Sequence, residues 1–193
     1  MARLPAAERR RQLLDTALEV FGTSGYHGAS MAAVAEAAGV TKPVLYQHFT
    51  SKRDLFLQLL ADVGARLGDV IAKSTADATG PHAQVTAGFE AYFAFVAENE
   101  AAFRLLFGSG TFEDPAFSEA VRQVEGALAE AVAGLIHADL DDEHRRLLGH
   151  GIVGLAETTV RHLLGTGGVT DPAREAKRVA DLAWAGLRGV HRI

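Results

Sequence analysis

Apolar residues recur along the whole chain at the three-to-four-residue spacing of an amphipathic helix, and no stretch alternates with the period of two that a half-buried strand requires. A chain patterned this way buries its apolar surface by packing helix on helix, so the expected fold class is all-α, with about nine helices. Leu14, Ala17, Leu18 and Phe21 share one face of a first helix over about residues 6–24, which Gly25 stops. Ser30 caps a short helix holding Met31, Val34, Ala35 and Ala38; Gly39 breaks it, and a second short helix starts at Thr41. Ser51 and Asp54 form an S-x-x-D capping box before a long helix on which Leu55, Leu59, Val63, Leu67 and Val70 recur. Gly80-Pro81 precedes an aromatic helix over about residues 82–98. Asp114-Pro115 and Asp171-Pro172 each read as an N-cap followed by Pro at N1, and Asp141 caps a further helix. Loops are expected at 108–114 and 165–171.

The chain has 193 residues, 48% of them hydrophobic, enough material for a core without a disulfide or metal staple. It contains no cysteine, which removes disulfide scaffolds, thiolate zinc sites and thiol nucleophiles, and agrees with a reducing, cytoplasmic setting. Arg9, Arg10 and Arg11 precede an acid-bearing helix rather than an apolar export segment, and no run of about 18 uncharged apolar residues could span a membrane. The net charge of −5 is unevenly placed. Residues 1–53 carry seven Lys and Arg against four Asp and Glu, while residues 54–193 carry twelve against twenty, so only the N-terminal quarter suits a polyanion.

That quarter contains residues 30–49, two short amphipathic helices joined by a tight turn at Gly39, with a polar, basic start to the second: the sequence form of a helix-turn-helix. Small Ala35 and Ala38 permit a close crossing, and Val34, Val40, Leu45 and Phe49 can make the seam. Thr41, Lys42, Val44, Tyr46, Gln47 and His48 then face outward, with hydroxyl, amide, imidazole and ammonium groups suited to phosphates and base edges. Taken singly, Phe49 reads as a core ring, and the three arginines read equally as a solvated helix start or as phosphate contacts.

The elements FGTSGY (21–26), AEAAGV (35–40), TKPVLYQHF (41–49) and SKRDLF (51–56) together resemble the TetR family of bacterial transcription regulators over about residues 8–60. The resemblance implies a helix-turn-helix DNA-binding domain over 1–54, an effector-binding and dimerisation domain over 55–193, and a homodimer that binds a palindromic operator in double-stranded DNA. It implies a regulator, read as a repressor, that a small apolar or amphipathic molecule releases. Carried over by position, Lys42, Pro43, Val44, Tyr46, Gln47 and His48 are the recognition surface, beside Thr41; Tyr46, Lys52 and Ser30 are phosphate contacts. Val44 departs from the small polar or glycine residue of many members, so a contact there would be apolar, such as to a thymine methyl.

Gly149, Gly151 and Gly154 read G-x-G-x-x-G, but they follow helical sequence and no strand, so a dinucleotide site is rejected. Gly151, Gly154 and Thr158 read instead as a small-residue stripe for helix packing. The last helix carries two apolar faces, Val179, Leu182, Ala183, Gly186 and Val190 on one and Ala180, Trp184 and Leu187 on the other, implying two partners. His144, His150, Glu157 and His162 lack the i, i+4 His–His spacing of a metal site, so no metal or other cofactor is expected. No catalytic spacing is seen, and an α-helical enzyme or a plain interaction module are the rival classes. Eight of the fourteen aromatic residues lie within 89–117, including Phe112, a concentration that reads as a ligand cavity. Its expected lining is Phe89, Tyr92, Phe93, Phe103 and Phe107, with Glu157, Thr158 and His162 as polar groups.

Overall fold

The computed structural model describes residues 5–107 and 114–190, without the side chains of Leu106 and Phe107. Among these residues it contains nine helices and no strand: α1 (Ala6–Gly28), α2 (Met31–Ala37), α3 (Lys42–His48), α4 (Lys52–Ala76), α5 (Pro81–Glu98), α6 (Glu100–Phe107), α7 (Pro115–Gly134), α8 (Asp142–Thr166) and α9 (Pro172–Leu187). The all-α expectation holds. No described helix is long and apolar enough to cross a membrane.

The helix ends follow the local chemistry. Ser30 Oγ accepts from Ala33 N at 3.1 Å, Asp141 from His144 N at 2.7 Å and Asp171 from Arg174 N at 3.1 Å, each satisfying a first-turn donor the helix leaves open. Ser51 Oγ likewise accepts from Asp54 N at 3.0 Å. The return half of the box reaches one residue further back than a capping box requires: the Asp54 carboxylate accepts from Thr50 N at 2.7 Å and Thr50 Oγ1 at 3.0 Å. These bonds, led by the one from Gln58, hold the Asp54 carboxyl below the usual aspartate range. Gly25 turns α1 with φ 66°, and α5 is separated from α6 at Asn99, a break the apolar period does not announce.

The chain divides into two compact units. The first comprises Met1–Val63 and Glu100–Val121, the second Gly64–Asn99 and Arg122–Ile193. This differs from a division at 54/55, because α6 and the start of α7 pack into the first unit. Ala102, Phe103 and Leu105 are buried there, and a Cβ at Gly22 of α1 would stand only 2.6 Å from that of Ala101. Phe56 lies 5.2 Å from Phe21 and 4.6 Å from Phe117 between ring centroids, and Tyr26 lies 4.7 Å from Phe117, forming an aromatic core. Within 52–63, α4 buries Leu55, Phe56, Leu59, Leu60 and Val63, a broader stripe than one residue in four.

In the second unit α5 packs along α9, and α8 packs on both. At Gly149 the backbone of α8 lies tight against α7: a Cβ there would stand 2.3 Å from the Ala129 carbonyl oxygen. Gly151 and Gly154 face open space, so the close approach uses the first glycine of the G-x-G-x-x-G run rather than the other two.

Candidate nucleic-acid interface and ligand cavity

In the first unit the turn between α2 and α3 is made by Gly39 at φ 64°, with Val40 N donating to Ala35 O at 2.9 Å. Val34, Ala35, Ala38, Leu45 and Phe49 are buried and form the seam, with Val40 half-buried. The period of α3 then leaves Thr41, Lys42, Pro43, Tyr46 and Gln47 exposed, while Val44 and His48 are half-buried. Tyr46 is 49% exposed, far too open for a core ring. Hydroxyl, ammonium, phenol and amide therefore share one accessible helix face, the groups that donate to phosphates and read base edges.

Ser30 is exposed and its oxygen is engaged as the α2 cap, which leaves the hydroxyl hydrogen available to a phosphate. Lys52 is more constrained than its sequence context suggests. Its Nζ donates to the His27 carbonyl at 3.3 Å and lies 4.5 Å from the centroid of Tyr26, at the end of α1. The arginine triplet is engaged inside the unit. Arg9 bonds Gln12, Arg11 pairs with Asp15 and Asp62, and Arg10 donates to Gln58 and stacks over Phe49. Arg53 and Asp114 form a bidentate pair, 3.2 and 3.1 Å, that holds the Asp114 carboxyl below its usual range, while the same carboxylate caps α7 through Ala116 N.

The second unit contains an apolar cavity of about 510 Å³. Of the expected lining residues, Phe89 and Tyr92 face it. Phe93 and Phe103 are buried outside the lining, Phe103 in the core of the first unit, because the break at Asn99 carries α6 there. The side chain of Phe107 and all of Phe112 lie outside the described residues. Glu157 pairs with Arg161, and Thr158 and His162 are exposed on α8, none of them lining the cavity. The face of α8 that lines it is apolar, Leu148, Ile152, Val153 and Ala156, and at 3.6 residues per turn Thr158 and His162 fall away from it.

The polar lining comes from residues the aromatic count could not point to: Thr75, Gln84, His137 and Arg188, beside Tyr92 and the indole of Trp184. Thr75 is buried, its hydroxyl directed at the Ile71 and Ala72 carbonyls at 2.9 and 3.2 Å. Burial, with Glu125 nearby, pushes the Tyr92 hydroxyl well above the usual tyrosine range; burial raises Glu125 as well. Two exposed leucines stand apart from cavity and core, Leu147 on α8 at 69% and Leu182 on α9 at 63%, on helices that also present Gly151, Thr158 and Gly186 outward. Trp184 and Leu187, expected on a second packing face of α9, line the cavity. Among the described residues no group of three or more His, Asp or Glu is placed to hold a metal ion.

Comparison with known proteins accounts for both units. A family model described as "Bacterial regulatory proteins, tetR family" matches residues 13–59, and "Tetracyclin repressor-like, C-terminal domain" matches residues 81–186. The HTH-type transcriptional activator FasR of Mycolicibacterium smegmatis is 34% identical over 97% of this chain and 87% of its own length. The HTH-type transcriptional regulator YdgC of Bacillus subtilis is 26% identical over 93% of each chain. Among solved structures, a TetR-like transcriptional regulator from Rhodococcus sp. RHA1 superposes with a TM-score of 0.76 at 29% identity, covering 97% of this chain and 100% of that one. These relatives are transcription regulators and not enzymes.

Proposed function

Because the chain belongs to the tetR family of bacterial regulatory proteins, we propose that it is a repressor that grips a partly palindromic operator as a homodimer and lets go when a small apolar or amphipathic ligand fills its cavity. The observation that carries DNA recognition is the α3 face, where Thr41, Lys42, Tyr46 and Gln47 stand exposed on a helix whose opposite side is locked into the seam. In this reading α3 enters the major groove, Gln47 reads a base edge, Val44 and Pro43 supply apolar contact, and His48 lies at the margin. Ser30, Tyr46 and Lys52 contact phosphates, which position the helix without specifying sequence.

Support for the homodimer lies in the outward side of α8 and α9. Leu147 and Leu182 are large apolar side chains in water, and the small residues near them let a second pair of helices approach closely. Two-fold symmetry then requires two half-sites centred about 34–36 Å apart on one face of the duplex. Footprinting of the intergenic DNA beside the protein's own gene, combined with sedimentation, tests the reading. Protection of two symmetric half-sites by a dimer is expected; sequence-indifferent binding, or a monomer at micromolar concentration, overturns it.

The sign of regulation has a second reading, because the relative at 34% identity is named an activator. Operator position decides between them: a site overlapping the promoter blocks polymerase, one upstream can recruit it. In vitro transcription from the footprinted promoter distinguishes the two, with loss of transcript on adding protein expected for the repressor and a gain for the activator.

A further inference from the structure

Helix α3 is short. Its seven residues make about two turns, too few to hold a helix in water without tertiary support, and of these residues only Leu45 is buried. Its second anchor is Phe49, the fully buried residue at its exit. Leu45 and Phe49 lie one turn apart on one side, so they fix the buried edge of α3 and leave its tilt to whatever holds the two ends. At the start the turn at Gly39 does this, through the bond from Val40 N to Ala35 O. At the exit a chain of polar contacts does it.

Thr50 follows Phe49, and its N–H and its hydroxyl both donate to Oδ2 of Asp54, at 2.7 and 3.0 Å. Oδ1 of the same carboxylate accepts from Gln58 Nε2 at 2.6 Å. Gln58 Oε1 in turn accepts from Arg10 of α1, whose guanidinium lies 5.6 Å from the centroid of the Phe49 ring. The order admits one polarity. A glutamine between a guanidinium and a carboxylate turns its oxygen to the first and its amide hydrogens to the second, which fixes the orientation of its side chain. The bonds from Gln58 and Thr50, with the Arg10 charge behind them, hold the Asp54 carboxyl below its usual range and so keep it an acceptor at neutral pH.

Three helices thus meet at the end of α3, all within the first unit: α1 through Arg10, α4 through Asp54 and Gln58, and α3 through Phe49 and Thr50. These contacts are exposed or part-buried, where a polar pair contributes little to stability. Their effect is directional. Gln47 stands two residues before Phe49, and an amide reads a base edge only at hydrogen-bond distance and angle, so a change of tilt at the exit takes it out of reach.

Building on the reading of α3 as the recognition helix, we infer that Arg10 is a positioning residue for base readout rather than a phosphate contact. Through Gln58 and Asp54 it fixes the exit of α3, and with it the angle at which Gln47 meets the groove.

The test uses the full chain, the duplex it selects from a random-sequence pool, and an unrelated duplex of equal length. Anisotropy titrations over a salt series give both affinities and their salt slopes, and circular dichroism melting checks that each variant is folded. Gln58→Met keeps the stem and the charge balance while removing both amide contacts. It should lower affinity for the selected duplex about ten-fold, the effect of losing one base contact, and leave the unrelated duplex and the salt slope unchanged. Arg10→Met should lower discrimination equally, and the double variant should lose no more than the larger single loss, because both break one chain. Asp54→Asn and Gln58→Glu should each reduce discrimination. Together they exchange donor and acceptor between the two positions, keep an acceptor for Arg10 and for Thr50, and should restore it. A role in stability alone would move the melting temperature and not the ratio of the two affinities. If Arg10→Met weakens both duplexes alike and lowers the salt slope by about one, while Gln58→Met does nothing, Arg10 is a phosphate contact and the inference is overturned. An unchanged ratio in both Met variants overturns it too. Gln47→Ala separates the two readings. If that variant selects the same sequence as the parent, α3 is not the reader and the inference falls with it; if its selected sequence changes while the Met variants are silent, only the positioning role is rejected.

Discussion

Tyr46 and Gln47 sit side by side on α3, exposed by the same half-turn that sends Leu45 and Phe49 into the seam, and their roles on DNA should separate by experiment. Gln47→Ala removes a bidentate-capable amide. It should relax base preference at one operator position by about 1–3 kcal/mol, visible in a selection experiment as a flattened column, while affinity for unrelated DNA stays the same. Lys52→Ala should do the opposite, weakening all sequences alike and lowering the slope of log affinity against log salt by about one. Lys52 is already pre-positioned by the His27 carbonyl and the Tyr26 ring, so in the proposed phosphate contact little side-chain entropy would be lost. The exposed face of α3 was legible because polar residues at helical spacing can only point one way. The Lys52–Tyr26 contact was not, since it joins side chains 26 positions apart that only the packing of α4 beside the end of α1 brings together.

At the scale of elements, the Asp114 carboxylate serves two helices, capping α7 and holding Arg53 of α4. Its carboxyl is depressed in the folded chain, so the stability it supplies is present above the ordinary aspartate value of about 3.9 and is lost as pH falls through the lower folded value. Asp114→Asn should therefore lower the melting temperature at neutral pH and make the acid limb of melting temperature against pH shallower. Parallel acid limbs for the two proteins would contradict this. Gly149 is a second element-scale device. A methyl group there would press on the Ala129 carbonyl, so Gly149→Ala should cost about 1–3 kcal/mol in urea unfolding, whereas Gly151 and Gly154 meet no neighbouring atom of the same chain. The glycine spacing alone could not rank these three, because which of them meets a neighbouring backbone depends on how α8 is rotated against α7.

For the molecule as a whole, the proposed dimerisation and ligand release are the properties to test. Leu147→Glu with Leu182→Glu puts charge where two apolar side chains are expected to be buried against a second copy, and sedimentation should find a folded monomer with operator affinity lost. Release, as proposed, is a linkage between two sites. A coupling of about 1–3 kcal/mol weakens operator binding about 5–150-fold, and operator must weaken ligand binding by the same factor. Equal ligand affinities with and without operator, measured by calorimetry, would exclude induction through the cavity.

Helical period, caps and turn glycines are local quantities, set by neighbours within four residues, so the amino-acid sequence by itself determined the all-α class, the ends of most helices and the outward face of α3. The same holds for the N-terminal positive charge, which composition alone carries. Which aromatic residues line a cavity is a different kind of quantity. Phe89 and Phe93 lie one turn apart on the same helix, yet one faces the cavity and the other is buried elsewhere, while Phe103 joins the other unit altogether. Only the tertiary structure decided that division, and it alone brought Thr75, Gln84, His137 and Arg188 to one surface. A side chain's surroundings depend on helices many residues away, whose rotation and crossing no local spacing specifies.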